Sequence, residues 1–382
     1  MPMQPLTDAV RGDVSAEQVR HLLESEEALT IRGGLEIVDI GLSVIEDISG
    51  DLAGGSVERQ SYATLHGTAR LRVTRTIDWG GDLLRPYVVV GDGGSLSARF
   101  NLGVYHPTTP DWPLEESPPT FDVEGYDILL RLNQPVGDAF SITAGQGYLD
   151  TVEQILMARG YTQYVIDWTK ASTVAPTSRV WAFTDNVTWL SVVNDLLGSI
   201  GYAGIWSDWD GRLRVEQYVN PVERGVEWTY SDDAATTMMS TRRTVSYDYF
   251  SAPNRWVIYQ SNVVEGATPV EGAGIYTYTN ESTGDTSVTA RRGLIITHTE
   301  GVDVADQGSL IARAQSIISV DMSIPTTISI ETAPNPLHWH FDRLMIADSG
   351  SIPVADVMCT QWSLPLPPDS GDMVQSWKVL VR

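Results

Sequence analysis

Few residues in the sequence have types and spacing that could do chemistry. His338-Trp-His340 would put two imidazoles on one face of a strand, as a metal site requires, but no third ligand is identifiable. The expectation there is a loop pair of ordinary surface histidines. Asp208-x-Asp210-Gly211 has the opening of a calcium loop, yet its twelfth position is Val219, where such a loop needs an acid, so the segment is read as a turn. Cys359, in Val-Met-Cys-Thr, has no Cys-x-x-Cys partner and is expected to be a buried, unreactive thiol. As the one cysteine of the chain it leaves the fold without an intramolecular disulfide. Carboxylate pairs such as Glu115-Glu116, or Asp122 with Glu124, could serve a glycosidase, but with 49 acids in the chain such pairs arise everywhere. Gly91-Asp-Gly-Gly94 lacks the lysine of a phosphate cradle. There is no Gly-x-Ser-x-Gly elbow, His-Glu-x-x-His, Walker loop or strand-to-helix Gly-x-Gly-x-x-Gly. Twelve tryptophans could line a sugar cleft, but Trp181, Trp189, Trp256 and Trp377 sit within apolar patterns and are assigned to the core. No catalytic, cofactor-binding or metal-binding residue is assigned, and no cofactor is expected.

Charge narrows the partners. The 382 residues hold 49 acids against 25 bases, a formal charge of −24, and only Lys170 and Lys378 are lysines. Gripping nucleic acid requires neutralising phosphates, so DNA or RNA binding is discounted, though DNA passage is not. The arginines are partly clustered, at Arg70, Arg72 and Arg75, at Arg242-Arg243 and at Arg291-Arg292. These are read as solvated strand faces or inter-subunit ion pairs. An apolar fraction of 42% is too high for a chain kept unfolded by its charge, and the length suggests two or three domains. The N-terminus has no basic segment followed by an apolar one, and no run approaches the ~20 apolar residues that span a bilayer. A soluble protein made in the cytoplasm is expected, without stable membrane insertion.

The elements that would position these residues are mostly strands. Ser15-Ala-Glu-Gln18 has the form of a capping box, predicting a short helix to about Leu23 with Val19, Leu22 and Leu23 on one side. From Leu35 to about Val104 the pattern is period-2, with Leu71, Val73 and Ile77, then Phe100, Leu102 and Val104, on one face. Ser49-Gly-Asp51, Gly80-Gly-Asp82 and Gly91–Gly94 punctuate it, as in a barrel or sandwich. Five prolines between His106 and Pro119 predict an extended surface loop. Two segments then share the pattern L-x-x-V-x-x-[IL]-L-x-x-x-G-Y, ending Gly160-Tyr161 and Gly201-Tyr202. They predict paired amphipathic helices with glycine caps, the second starting after Asp185-Asn186. Strand-like Tyr164–Ile166 and Val180–Phe183 complete a small α+β lobe. Asp210-Gly211 between alternating flanks predicts a hairpin. Further strands are expected at Asn254–Tyr259, Ile275–Tyr278, Gly293–Ile296, Thr326–Ile330, Leu344–Ile346 and Trp377–Val381. One helix, about 305–319, interrupts them, with Leu310, Ile311, Ala314, Ile317 and Ile318 apolar.

This order of parts resembles the tail hub family of tailed bacteriophages, which includes the baseplate hub of contractile phages, the tail-associated hub of siphophages and the N-terminal part of the type VI secretion spike. The resemblance runs from about Leu35 onward. Three stretches carry it: Trp181–Leu197 running into Gly201-Tyr202 and the hairpin after Trp206; Ala252–Tyr259; and the helix near Leu310 followed by Ile328–Pro336, Phe341–Ile346 and Gln361–Leu366. It implies a β-rich α+β fold of two β-barrel-like hub domains with the small α+β lobe between them. The segments would be 1–147 with its leading helix, 148–207 for the lobe, and 233–382 for the second barrel, with 208–232 returning to the first. It further implies a homotrimer whose six barrels meet a hexameric tail tube, while the far side meets a threefold spike or fibre and the tape measure protein. DNA would pass through the lumen without specific binding. Lytic or spike activity would reside in another polypeptide, since the chain stops at Arg382. A structural virion protein at the tail tip, not an enzyme, is the leading expectation. The alternatives are a carbohydrate- or receptor-binding tail protein and a secreted glycoside hydrolase.

Overall fold

The computed structural model describes residues 14–23, 30–78, 80–94, 96–111, 120–182, 187–232, 239–260, 270–271, 274–302, 307–321, 326–339, 341–347, 355–367 and 371–380. Among them the chain is mostly strand, with four helices. Helix α1 (Ala16–Leu23) opens it. Eight strands follow: β1 (Thr30–Val38), β2 (Val44–Asp47), β3 (Leu52–Gln60), β4 (Gly67–Val73), β5 (Leu83–Gly91), β6 (Ser97–Asn101), β7 (Tyr105–Asp111) and β8 (Phe121–Asp127). The middle of the chain holds β9 (Phe140–Ile142), α2 (Tyr148–Ala158), β10 (Tyr164–Ile166), β11 (Arg179–Trp181), α3 (Trp189–Ser199), β12 (Trp206–Ser207) and β13 (Leu213–Val215). Next come β14 (Trp228–Ser231), β15 (Met239–Tyr247), β16 (Arg255–Gln260), β17 (Val270–Glu271), β18 (Gly274–Thr279) and β19 (Thr297–Val302). The last elements are α4 (Gln307–Asp321), β20 (Thr326–Thr332), β21 (Arg343–Ala347), β22 (Ala355–Leu366) and β23 (Met373–Val379).

The chain divides into two compact units. The first comprises Met1–Arg243 with Ile330–Trp377, and the second Thr244–Ser329 with Lys378–Arg382. In the first, a long sheet runs in the order β23-β22-β3-β4-β8-β7-β5-β1-β2, with β6 on β5, β21 on β22 and β14 on β21. Alternation on β4 buries Ala69, Leu71 and Val73 and sends Arg70 and Arg72 outward. Ile77 lies beyond the strand and is half-buried.

Segment 106–111, expected as a surface loop, is strand β7. Proline lacks the N–H a central strand must donate. Among the described residues β7 pairs with β5 only at Leu84↔Tyr105, which leaves that margin open beyond Tyr105, and its register with β8 shifts between Pro107 and Pro110. Both features accommodate prolines. The rest of that proline-rich stretch, 112–119, lies outside the described residues.

The capping box forms as expected: Ser15 N donates to Gln18 Oε1 at 2.9 Å and Gln18 N to Ser15 Oγ at 3.2 Å. The paired helices also form, and their ends match. Gly160 and Gly201 take φ of +81° and +73°, while Tyr161 N donates to Leu156 O and Tyr202 N to Leu197 O, both at 3.0 Å. Each tyrosine hydroxyl donates at 2.6 Å to a backbone carbonyl, of Ile128 and of Asp167 respectively. The N-cap of α3 is Thr188, in a capping box with Ser191, whereas Asp185 and Asn186 lie outside the described residues. Leu149, Val152, Ile155, Leu156, Leu190, Val193, Leu196 and Leu197 share one core with Val38 of β1, Leu83 of β5 and Val104 from the β6–β7 connection.

The second unit is organised around β16, antiparallel to β18 and parallel to β19, with β17 on β18. Helix α4 packs Leu310, Ala314 and Ile318 against Trp256, Ile258 and Val302. Segment 293–296, expected as a strand, is not one. Positive φ at Arg292 (54°) and Gly293 (90°) breaks extension, and Asn254 holds the backbone by bonding Leu294 O and Ile296 N. Strand β19 begins only at Thr297.

Candidate interaction surface

The outward side chains of β4 and β8 stand opposite one another in register, Arg70↔Glu124 and Arg72↔Asp122. Arg72 engages Asp122 through both fork nitrogens, at 2.7 and 3.2 Å, and holds its carboxyl below the usual range. Arg70 Nε is 3.6 Å from Glu124, whose other oxygen accepts from Tyr126 Oη. Arg75 extends the row by gripping Glu46 at 2.8 and 3.1 Å. A groove of about 670 Å³ crosses this face, floored by Gly54 and Gly55. Gly55 is required there, because a Cβ would lie 2.2 Å from Arg70 O. Exposed pairs of this kind add ~0–1 kcal/mol each, so they write a mixed-charge surface more than they hold the fold. The arginines at 70, 72 and 75 therefore pair within the chain across strands. Arg242 faces Glu331 at 3.5 Å and Arg243 faces Asp232 at 3.8 Å.

Behind this face lies a buried ionic junction in the first unit. Arg59, pointing inward beside Val57 on β3, donates to Ser207 O at 2.8 Å and lies over the Trp339 ring at 4.1 Å. Trp339 Nε1 donates to the same carbonyl at 2.9 Å. Strand β3, the hairpin and the segment before β21 are thus tied at one oxygen. Nearby, Asp208 accepts from Arg214 Nε at 2.9 Å and from the backbone of Asp210 and Arg212, closing the hairpin whose Gly211 has φ +89°. Burial pushes Asp127 up to about 6 and Glu216 up to about 7, against the pull of Arg59 and Arg214 respectively. Arg224 pairs with Glu227 at 2.5 Å and approaches Asp342 at 3.7 Å. This junction was not anticipated from the sequence. Its one signal was Arg59, two residues after Val57 on the inward face of β3; Arg214 alternates with Leu213 and Val215 and is buried because β13 is covered on both faces.

The residues first considered for chemistry are dispersed. His338 is not on the surface but fully buried, bonded to the Tyr230 hydroxyl and held neutral by burial, which depresses it to about 3. Asn335 and Gln375 also donate to that hydroxyl, which makes the set a core polar network. His340 lies outside the described residues. Cys359 is buried, and burial pushes its thiol up. Trp181, Trp256 and Trp377 are buried and Trp189 is half-buried. Among the described residues no three His, Cys, Asp or Glu side chains cluster as metal ligands, and no described helix is long and apolar enough to cross a membrane.

No family model and no curated protein matches the sequence. Solved structures do match. A tail protein from Neisseria meningitidis MC58 superposes with a TM-score of 0.61 at 11% identity, covering 91% of this chain and 97% of that one. The 43 kDa tail protein of prophage MuSo2 from Shewanella oneidensis gives 0.59 at 13% identity, covering 92% and 98%. The chain has the fold of phage tail proteins. A third such tail protein, gp18 of a Listeria monocytogenes EGD-e prophage, gives 0.51 at 12% identity over 90% of this chain and 94% of its own. The tail-protein fold extends over nearly the whole of both partners, and the resemblance read from the sequence leads to the same group.

Proposed function

We propose that this chain is a structural hub of a phage tail tip, without catalysis, acting as a homotrimer that joins a hexameric tail tube to a threefold spike or fibre. The observation that carries the reading is coverage: the tail proteins of Neisseria and Shewanella are matched over 97% and 98% of their own lengths by 91% and 92% of this one. In this reading the first barrel is 1–147, with 208–232 returning to it through the Arg59–Ser207 junction. The paired helices form the lobe at 148–207, and 233–382 supplies the second barrel. The antiparallel pairing of β22 with β3, from Gln361↔Gln60 to Leu366↔Gly55, is then the seam between barrels. The mixed-charge face of β4 and β8 suits contacts with other tail components, since charges of both signs set register more than affinity. A closed ring completes its contacts without growing into a fibre. The net charge of −24 suits a conduit that DNA traverses without sticking. In a virion the protein would sit at the tail tip, beside tape measure and tube proteins.

Native mass measurement of the purified chain tests this, together with co-purification on recombinant tail-tube protein. A trimer that captures the tube protein is the expected result. A monomer that binds purified cell-wall glycan would replace the hub with a receptor-binding role, and turnover of cell-wall material would end the non-enzymatic reading.

A further inference from the structure

Most arginines of the first unit face carboxylates, among them Arg72 on Asp122, Arg85 and Arg99 on Glu36, and Arg214 on Asp208. Arg131 and Arg159 do not, among the described residues. Both line a cavity of about 550 Å³ at the C-terminal end of α2, with His106, Gln134 and Gly160, and among the described residues no acidic one lines it. Arg159 lies over the Trp189 ring at 4.7 Å and Arg131 faces the Tyr161 ring at 5.8 Å, so aromatic faces hold both guanidiniums in place. Arg159 Nε and His106 Nε2 are buried with no hydrogen-bond partner among the described residues. Gly160 admits the arginine: a Cβ there would sit 3.0 Å from Arg131 Nη2.

The matching end of α3 differs. A cavity of about 490 Å³ lies beside Gly201, but its cation, Lys170, donates to Ile200 O at 2.5 Å. One positive charge there is met by the helix terminus itself. At α2 two arginines converge, and that is more positive charge than one helix end offsets.

We propose that the Arg131–Arg159 cavity receives a carboxylate side chain from an acidic protein segment. Guanidinium forks match planar carboxylates bidentately, which favours Asp or Glu. Leu130 and Ala158 on the wall offer apolar contact that a peptide can use and a bare anion cannot. Neutral His106, depressed to about 4 by burial and by Arg131, leaves a ring nitrogen available to the incoming carboxyl. The inference rests on the cavity and stands apart from the hub reading.

Calorimetric titration of the full chain with a glutamate-rich decapeptide, and separately with inorganic phosphate, tests it. Saturable peptide binding that weakens with salt is expected. Arg131→Gln and Arg159→Gln should each weaken it about tenfold, as the loss of one charge-assisted hydrogen bond would. Arg159→Lys should retain part of the affinity, and Arg242→Gln, an exposed arginine elsewhere, should change nothing. Gln134→Glu, at an exposed position, gives up the bond from Gln134 Nε2 to Leu130 O but places a carboxylate at the mouth and should compete. Absence of peptide binding, binding of phosphate alone, an equal loss in Arg242→Gln, or unchanged affinity in Gln134→Glu would each overturn the proposal. Native mass measurement on the same sample reads oligomeric state separately.

Discussion

Replacing Leu196 by alanine asks whether the helical lobe is a separate folding body. Leu196 is fully buried on α3 and belongs to a core that runs from Leu149, Val152 and Leu156 on α2 to Val38 of β1, Leu83 of β5 and Val104 between β6 and β7. Truncation removes about three methylene equivalents, worth about 2.4 kcal/mol at ~0.8 each. The cavity left behind raises the cost to about 3–4 kcal/mol, since the surrounding helices collapse only in part. For a unit of this size each kcal/mol lowers Tm by ~2–4 °C, so a fall of about 10 °C is expected. Because the core is continuous, α3 and the strands that share it, β1 and β5, should lose protection together. Differential scanning calorimetry with hydrogen exchange by mass spectrometry reads both. An early, separate transition confined to 148–207, with β3 to β8 unmoved, would refute the reasoning and make the lobe an autonomous domain.

Three further outcomes follow from single features. Glu216 is raised in the folded state to about 7 from 4.5, so between those values the native state holds the proton longer and stability falls as pH rises; urea midpoints of wild type and Glu216→Gln should diverge from pH 4.5 to 7.5, and a constant gap would show that another group is responsible. Arg72→Ala should cost under ~1 kcal/mol by chemical denaturation and less at high salt, despite its bidentate geometry, because the pair is exposed. Gly211→Ala should cost ~1–3 kcal/mol, since its φ is +89° and the new Cβ would lie 2.6 Å from Val104 Cγ2; a neutral result would mean that the hairpin readily repacks.

Local features were legible because their determinants lie within a few residues of one another. The Ser15–Gln18 box, the two Gly-Tyr helix ends and the Asp210-Gly211 turn each follow from short-range hydrogen bonds or a backbone conformation glycine tolerates. Where a residue distant in sequence fixes the backbone, the reading failed: Asn254, some forty residues away, captures 294 and 296 and prevents the expected strand. The candidate site was half-legible. The outward arginines of β4 followed from alternation, but their partners on β8 depended on register, and the burial of His338 depended on Tyr230.

The sequence by itself determined the helix ends, the alternating strands, a charge of −24 and the want of catalytic motifs, all properties of composition or of contacts within one turn or hairpin. Tertiary structure decided the rest. That β22 pairs with β3, that prolines sit in β7 beyond its single pairing with β5, and that Arg59 is buried under Trp339 all depend on which distant segments meet. Hydrogen-bond margins and inward registers are equally available to many partners, and only the packed core selects among them.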